Sequence, residues 1–112
     1  MHELALCRSV VGIVERARGG RGVSLVSLDV GELRQVVPET LIHCWGVVTR
    51  GTPLAGSRLA VTSIPAAIDC RGCGNSTQLD DVPIMVCPIC GSIDTVVVSG
   101  EEFLVRSIDV KE

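Results

Sequence analysis

Four of the six cysteines in this chain form two short pairs that predict a metal site. Cys70 and Cys73 are the first Cys-x-x-Cys pair, Cys87 and Cys90 are the second, and thirteen residues separate the pairs. Two residues between cysteines allow a tight turn to aim both thiolates at one point, and two such turns complete a tetrahedron of sulfur around zinc. A closed four-thiolate site leaves no open position for a substrate, so we expect structural zinc and no hydrolytic zinc chemistry.

Glycine follows each cysteine pair, at Gly74 and Gly91. Glycine tolerates the positive φ that lets backbone N–H groups approach the sulfurs. A redox dithiol is the alternative interpretation, but a redox pair usually stands alone at the start of a helix. His2, Glu3 and Arg8 interrupt the pattern of an export signal, so we expect a cytoplasmic protein whose cysteines are metal ligands or free thiols.

The first three residues, Met1-His2-Glu3, are a second candidate metal site. The terminal amine, the deprotonated amide of His2 and its imidazole Nδ1 can form two fused chelate rings. Such planar nitrogen donation suits Ni(II) or Cu(II) better than zinc. Glu3 offers a further backbone or carboxylate donor, and the bulk of His2 is expected to hinder removal of Met1. By itself the pattern does not establish a site, because a histidine near a terminus is usually only solvated.

The N-terminal candidate site opens a segment with helical periodicity. Over residues 3–18, apolar side chains recur on one side at spacings of three and four: Cys7, Val10, Val14 and Ala17, joined by Leu6 and Ile13. Gly19 and Gly20 predict the end of this helix.

The remaining periodicity predicts three strands and a second helix. The strands are expected over 23–30, 59–64 and 103–110, and the helix over 38–49, where Pro38 suits the first turn. The cysteine pairs fall between the last two strands. We therefore expect an α+β fold: a small sheet of about three strands with two helices, plus an inserted four-cysteine zinc-ribbon-like module. The expected domains are a nickel-binding α/β domain over 1–66 and 100–112 and a zinc-binding module over 67–99.

Composition narrows the classes of partner. Trp45 and Phe103 are the only aromatic residues among 112, so the core must be aliphatic, and a chain this small then benefits from a metal staple. The net charge of −3 gives no basic surface for nucleic acid or an anionic membrane. Residues 69–99 contain Arg71 as their single basic residue and no aromatic residue, which argues against a nucleic-acid-binding ribbon. No apolar run is long enough to span a membrane.

Taken together, the two motifs make the chain similar to a known family, the HypA/HybF nickel metallochaperones of [NiFe]-hydrogenase maturation. The likeness rests on Met1-His2-Glu3-Leu4, Gly31-Glu32-Leu33, Pro38-Glu39-x-Leu41, Gly51-Thr52 and the spacing of the four cysteines. The resemblance implies a carrier that is not an enzyme, with Ni(II) as cargo at Met1, His2 and Glu3. It also implies structural Zn(II) at Cys70, Cys73, Cys87 and Cys90. The implied partners are a HypB-like GTPase and the hydrogenase large subunit, with a homodimer left open.

The chain departs from this family at two places. Val37 stands where many relatives carry an acidic residue, so no carboxylate from that position can assist nickel. The second helix reads His43-Cys44-Trp45-Gly46 in place of an aromatic, acidic stretch, and Gly46 is expected to weaken it. Cys7 and Cys44 are expected to pack in the core. The alternative function is a zinc-ribbon adaptor for protein partners without specific nickel binding.

Overall fold

The fold consists of two helices and two small sheets within the residues described by a computed structural model, which are 2–79 and 84–111. The helices are α1 (Glu3–Ala17) and α2 (Pro38–Val48), and a single 3-10 turn covers Glu32–Arg34. The strands are β1 (Val23–Gly31), β2 (Arg58–Ile64), β3 (Ala67–Cys70), β4 (Ser76–Gln78), β5 (Thr95–Ser99) and β6 (Phe103–Val110). They form one sheet in the order β2-β1-β6 and another in the order β4-β3-β5. No helix in the described part of the chain is long and apolar enough to cross a membrane.

The α+β fold expected from the sequence is confirmed, with both helices and the three predicted strands in place. The second sheet was not predicted. Its three strands lie among the cysteines and are only three to five residues long, so their periodicity is too short to recognise.

The chain divides into two compact units. The helical unit comprises Met1–Asp29, Val36–Thr62 and Leu104–Glu112, and the cysteine unit comprises Val30–Gln35 and Ser63–Phe103.

In the helical unit, α1 buries one narrow stripe of side chains. Its buried residues are Glu3, Cys7, Val10 and Val14. The Cys7 Sγ donates a hydrogen bond to the carbonyl of Leu41 on α2 at 3.3 Å, so the two helices pack at this level. Ile13 and Ala17 were expected on the stripe but are exposed, because the buried face is narrower than the apolar periodicity indicates.

Helix α2 is anchored by its tryptophan. Trp45 is buried, and its Nε1 donates a hydrogen bond to Ser57 Oγ at 3.0 Å. The hydroxyl of Thr49 bonds the Trp45 carbonyl at 2.7 Å, which satisfies a carbonyl of the last turn. The helix continues through Gly46 to Val48, so the expected weakening does not end it.

The cysteine unit is built on β3, the central strand of its sheet. It pairs antiparallel with β4 and with β5. In the pairing with β5, the register shifts between Ala67 and Ile68. Ala66, Ile68 and Leu79 form the small hydrophobic core of this unit. Leu33 and Val97 are partly buried against it.

A close crossing of two backbone segments ties Val30–Gln35 to the rest of the cysteine unit. The N–H of Gly31 donates to the Glu102 carbonyl at 2.7 Å, and the N–H of Leu33 donates to the Gly100 carbonyl at 2.8 Å. A Cβ on Gly31 would overlap the Gly100 carbonyl. Glycine is therefore required at position 31 because of close backbone approach.

Candidate metal centre

The four cysteines of the two Cys-x-x-Cys pairs converge on one point. Their Sγ atoms all lie within 4.8 Å of one another. The Cys70 and Cys90 sulfurs are 3.6 Å apart, and the Cys73 and Cys87 sulfurs are 3.7 Å apart. A zinc ion with four bonds of about 2.3 Å to sulfur requires sulfur–sulfur edges of about 3.8 Å. The donor set and its spacing therefore fit tetrahedral zinc.

Two nearly identical turns hold these sulfurs. In the first, the N–H of Gly74 donates to the Cys70 carbonyl at 2.9 Å, and in the second the N–H of Gly91 donates to the Cys87 carbonyl at 2.8 Å. Both glycines have positive φ, 79° and 78°, as expected from the sequence. Their N–H groups, however, bond carbonyl oxygens and not sulfur.

Several backbone N–H groups and one side-chain amide do reach the sulfurs. The N–H of Cys73 donates to Cys70 Sγ at 3.4 Å, and Asn75 Nδ2 donates to Cys73 Sγ at 3.2 Å. Sequence reasoning missed Asn75. Its position directly after the Cys-x-x-Cys-Gly turn was the available signal, because metal ligands are usually oriented by hydrogen bonds from neighbouring polar groups.

These hydrogen bonds favour thiolates within the cluster. The backbone N–H of Asn75 and then its side-chain amide lower the pKa of Cys73 to about 6. The backbone N–H groups of Cys90 and Ile89 lower the pKa of Cys87.

Cys90 differs from Cys73 and Cys87, because its surroundings favour the protonated thiol. Although the backbone N–H of Ser92 acts in the opposite direction, the hydrogen bond with the Cys70 sulfur and burial raise the pKa of Cys90 to about 12. Four sulfurs at these distances cannot all ionise without a cation to offset their mutual repulsion. A divalent metal ion removes that conflict, and thiolate is the form that binds it.

The second candidate site lies at the start of α1, in the helical unit. Met1 lies outside the described residues. His2 is exposed at the N-cap position of α1, and its carbonyl accepts the N–H of Leu6 at 2.9 Å. The exposed imidazole is accessible to a metal ion from solvent.

Glu3 differs from His2 in being buried. Its Oε2 accepts the backbone N–H of Val37 at 3.4 Å, just before α2 begins. A hydrogen bond with the chain's terminal amine, followed by the backbone N–H groups of Glu3 and Val37, lowers the pKa of the Glu3 carboxyl to about 2. The carboxylate is therefore ionised at neutral pH and lies at the positive end of the α2 dipole. Val37 has no acidic side chain, but its backbone links α2 to Glu3.

The remaining cysteines and histidine do not gather into a metal cluster in the described part of the chain. Cys7 is fully buried, which confirms its expected core position, whereas Cys44 is only half-buried. Burial, with the nearby Cys44 and Glu3, raises the pKa of Cys7 to about 11. His43 is exposed while its neighbour Cys44 is not, as expected for adjacent residues on a helix.

The fold and the sulfur cluster define a class of protein: a small α+β metalloprotein whose four-thiolate site is closed and of the structural type. A family model described as hydrogenase/urease nickel incorporation, metallochaperone, hypA, matches residues 1–110. The chain belongs to this HypA family, which confirms the resemblance drawn from its motifs.

Relatives and solved structures agree with this assignment. The chain is 39% identical over 111 residues to the hydrogenase maturation factor HypA of Geobacter metallireducens, covering 99% of this chain and 100% of the relative. It is 32% identical to the HypA of Trichodesmium erythraeum, covering 100% of this chain and 97% of that one. The solution structure of the Ni metallochaperone HypA from Helicobacter pylori shares the fold, with a TM-score of 0.67 at 15% identity over 98% of this chain and 97% of that one.

Proposed function

We propose that this chain is a cytoplasmic, non-enzymatic nickel carrier. Met1, His2 and Glu3 bind Ni(II), and Cys70, Cys73, Cys87 and Cys90 bind one structural Zn(II). The proposed nickel-binding domain is 1–66 and 100–112, and the proposed zinc-binding module is 67–99. These bounds differ from the two compact units, because Val30–Gln35 and Ser63–Phe103 both belong to the cysteine unit. The observation that carries the proposal is the exposed His2 at the head of α1, in a chain that belongs to a family described as nickel metallochaperones.

The helix start supports nickel binding through its backbone. The first N–H groups of a helix have no intrahelical acceptor, so the His2 amide can lose its proton to a metal without breaking a helical hydrogen bond. The positive end of the α1 dipole disfavours a bound cation. An anionic amide and the ionised Glu3 carboxylate offset that repulsion, and the planar nitrogen set selects Ni(II) or Cu(II) over zinc.

Glu3 has two roles in this proposal. Its backbone extends the nickel site, while its carboxylate binds the Val37 N–H at the start of α2. Nickel at the terminus therefore lies beside the contact that joins the two helices, although the exposed His2 keeps the metal accessible to an acceptor.

Delivery of the metal is proposed to end at the [NiFe]-hydrogenase large subunit, with the help of a HypB-like GTPase. The family description and the names of the relatives support this direction, since they are hydrogenase maturation factors. When bound, zinc supplies a rigid cross-link between the two cysteine turns. The cysteine side chains hold that cross-link, and the turn backbone keeps them in position.

Calorimetric titration of nickel into zinc-loaded protein tests the proposal. We expect one tight nickel site that is strongly weakened by His2→Ala and by one extra residue placed before Met1. His43→Ala is the matched control, because His43 is the other histidine of the chain and is also exposed, although it lies within α2. Nickel affinity that is unchanged by both terminal alterations would contradict the terminal site.

A further inference from the structure

Part of the cysteine unit presents large aliphatic side chains to solvent. Ile93 is 83% exposed, Ile89 is 64% exposed and Ile84 is 61% exposed, and Met85 and Val86 are each 38% exposed. We refer to these five residues as the aliphatic patch. Proteins that function alone rarely expose contiguous apolar surface of this kind, and where they do it usually marks a binding surface.

Hydrogen bonds through Thr95 connect the Met85 and Ile93 segments of the patch. Met85 is linked to Thr95, whose Oγ1 donates to the Met85 carbonyl at 2.8 Å. The N–H of Thr95 in turn donates to the Ile93 carbonyl at 3.0 Å. Ile89 lies in the second cysteine turn, between these two segments in the sequence.

The patch includes a groove suited to an apolar side chain. The groove has a volume of about 300 Å³ and is lined by Ile84 and Val86 of the patch, by Thr77, Gln78 and Leu79, and by Cys87 and Pro88 of the second cysteine turn. A cavity of about 150 Å³ already accommodates benzene, so the groove has room for an aliphatic or aromatic side chain.

The charge of the cysteine unit as a whole is strongly one-sided. The cysteine unit has seven acidic residues and two basic ones, a net charge of −5, whereas the helical unit has eight basic and six acidic residues, a net charge of +2. Asp94 directly follows Ile93 and is exposed, and Asp69 lies on β3. Neither carboxylate forms an ion pair with a residue that the structure describes.

We propose that the aliphatic patch is a docking surface for a partner protein segment that carries apolar side chains flanked by lysine or arginine. The apolar side chains would cover Ile89 and Ile93 and enter the groove, and the basic residues would face Asp94 and Asp69. The acidic surroundings repel nucleic acid and anionic lipid, and they also repel the same surface of a second copy. Charge complementarity of this kind accelerates encounter and selects among partners.

The choice of partners to test rests on the proposed function. Full-length, zinc-loaded protein is titrated with the purified HypB-like GTPase and, separately, with the purified hydrogenase large subunit. Ile93→Glu replaces the most exposed apolar side chain of the patch by a carboxylate that docking of an apolar segment would have to desolvate, and it leaves the cysteines unchanged. Ile93→Leu keeps the apolar character of the position. Ile42→Glu is the matched control, because Ile42 is an isoleucine that is 46% exposed on α2 of the helical unit.

We expect at least one of these proteins to bind, with affinity that falls as ionic strength rises. Ile93→Glu should weaken that binding about tenfold or more, as expected when a large apolar contact residue of an interface is lost. Ile93→Leu and Ile42→Glu should bind like the unaltered protein, and all variants should retain one zinc.

Three results would overturn the proposal: binding that Ile93→Glu leaves unchanged, no binding of either protein, or self-association of the chain that Ile93→Glu abolishes. Nickel titration of the same variants keeps the two proposals distinct. If Ile93→Glu loses partner binding but keeps its nickel affinity, the result supports the docking surface and leaves the proposed function untouched. If the unaltered protein has no nickel site, the result contradicts the proposed function.

Discussion

Removal of zinc should unfold the cysteine unit and leave the helical unit folded. The buried core of the cysteine unit is small: in the described part of the chain one cluster comprises Ala66, Ile68 and Leu79, with Leu33 and Val97 partly covered, and Val30 is buried as well. Burial of a large aliphatic side chain contributes about 1.5–3 kcal/mol, whereas ordering the backbone costs about 1–2 kcal/mol for every residue. Apolar burial therefore cannot hold this unit by itself.

Zinc supplies the missing stabilisation. A structural four-ligand zinc site contributes on the order of 10–16 kcal/mol at neutral pH. The helical unit does not depend on it, because its core is larger and contains the buried Trp45 on α2 as well as Leu28 and Val26 of β1.

Amide NMR spectra of the zinc-loaded and chelated protein measure the two units separately. On chelation, we expect the resonances of Ile68 and Val97 to lose their dispersion. The indole resonance of Trp45 should stay in place, since its N–H is bonded to Ser57 within the helical unit. Added zinc should restore the original spectrum.

Single substitutions provide the matched control for this experiment. Cys73→Ser removes one sulfur of the cluster and should reproduce the effect of chelation, whereas Cys44→Ser lies outside the cluster and should retain zinc and fold. A chelated protein that keeps dispersed Ile68 and Val97 resonances would refute the reasoning.

Three further predictions concern the helices and the backbone crossing. In the zinc-loaded protein at pH 8, iodoacetamide should label Cys44 well before Cys7, since a pKa of about 11 leaves roughly one thousandth of Cys7 as thiolate. Peptide mass spectrometry measures the labelling of each cysteine, and comparable labelling of the two would contradict this prediction. Gly46→Ala should raise the free energy of unfolding by about 0.5–1 kcal/mol, because Gly46 lies within a helix with open space around it; a lower denaturation midpoint would be the opposite result. Gly31→Ala should destabilise the protein in the same assay, because its Cβ would overlap the Gly100 carbonyl, and an unchanged midpoint would argue against the crossing.

Long periodic segments and closely spaced ligands were predictable from the sequence. The helical spacing of Cys7, Val10 and Val14 predicted the buried stripe of α1, and the alternation in 23–30 predicted β1. The two Cys-x-x-Cys pairs predicted a four-sulfur cluster because each pair determines its own turn, and the structure brings all four sulfurs together.

Features that depend on distant parts of the chain were not predictable. Burial of Glu3 follows from its contact with the Val37 N–H, 34 positions away, and nothing in the local sequence marks that pairing. The strands of the cysteine unit are likewise too short to show a period, and β3 becomes a central strand only because β4 and β5 pair with it. The identity of the nickel ligands remains a prediction based on chelate chemistry and family resemblance.

Native mass spectrometry with and without one equivalent of nickel tests the central claim most directly, because it counts both metals on each chain. The account predicts one zinc on every chain before nickel is added, and one zinc plus one nickel afterwards. It further predicts that His2→Ala keeps the zinc and does not gain the nickel. Nickel that displaces zinc from the cysteines, or that binds His2→Ala as fully as the unaltered protein, would contradict it.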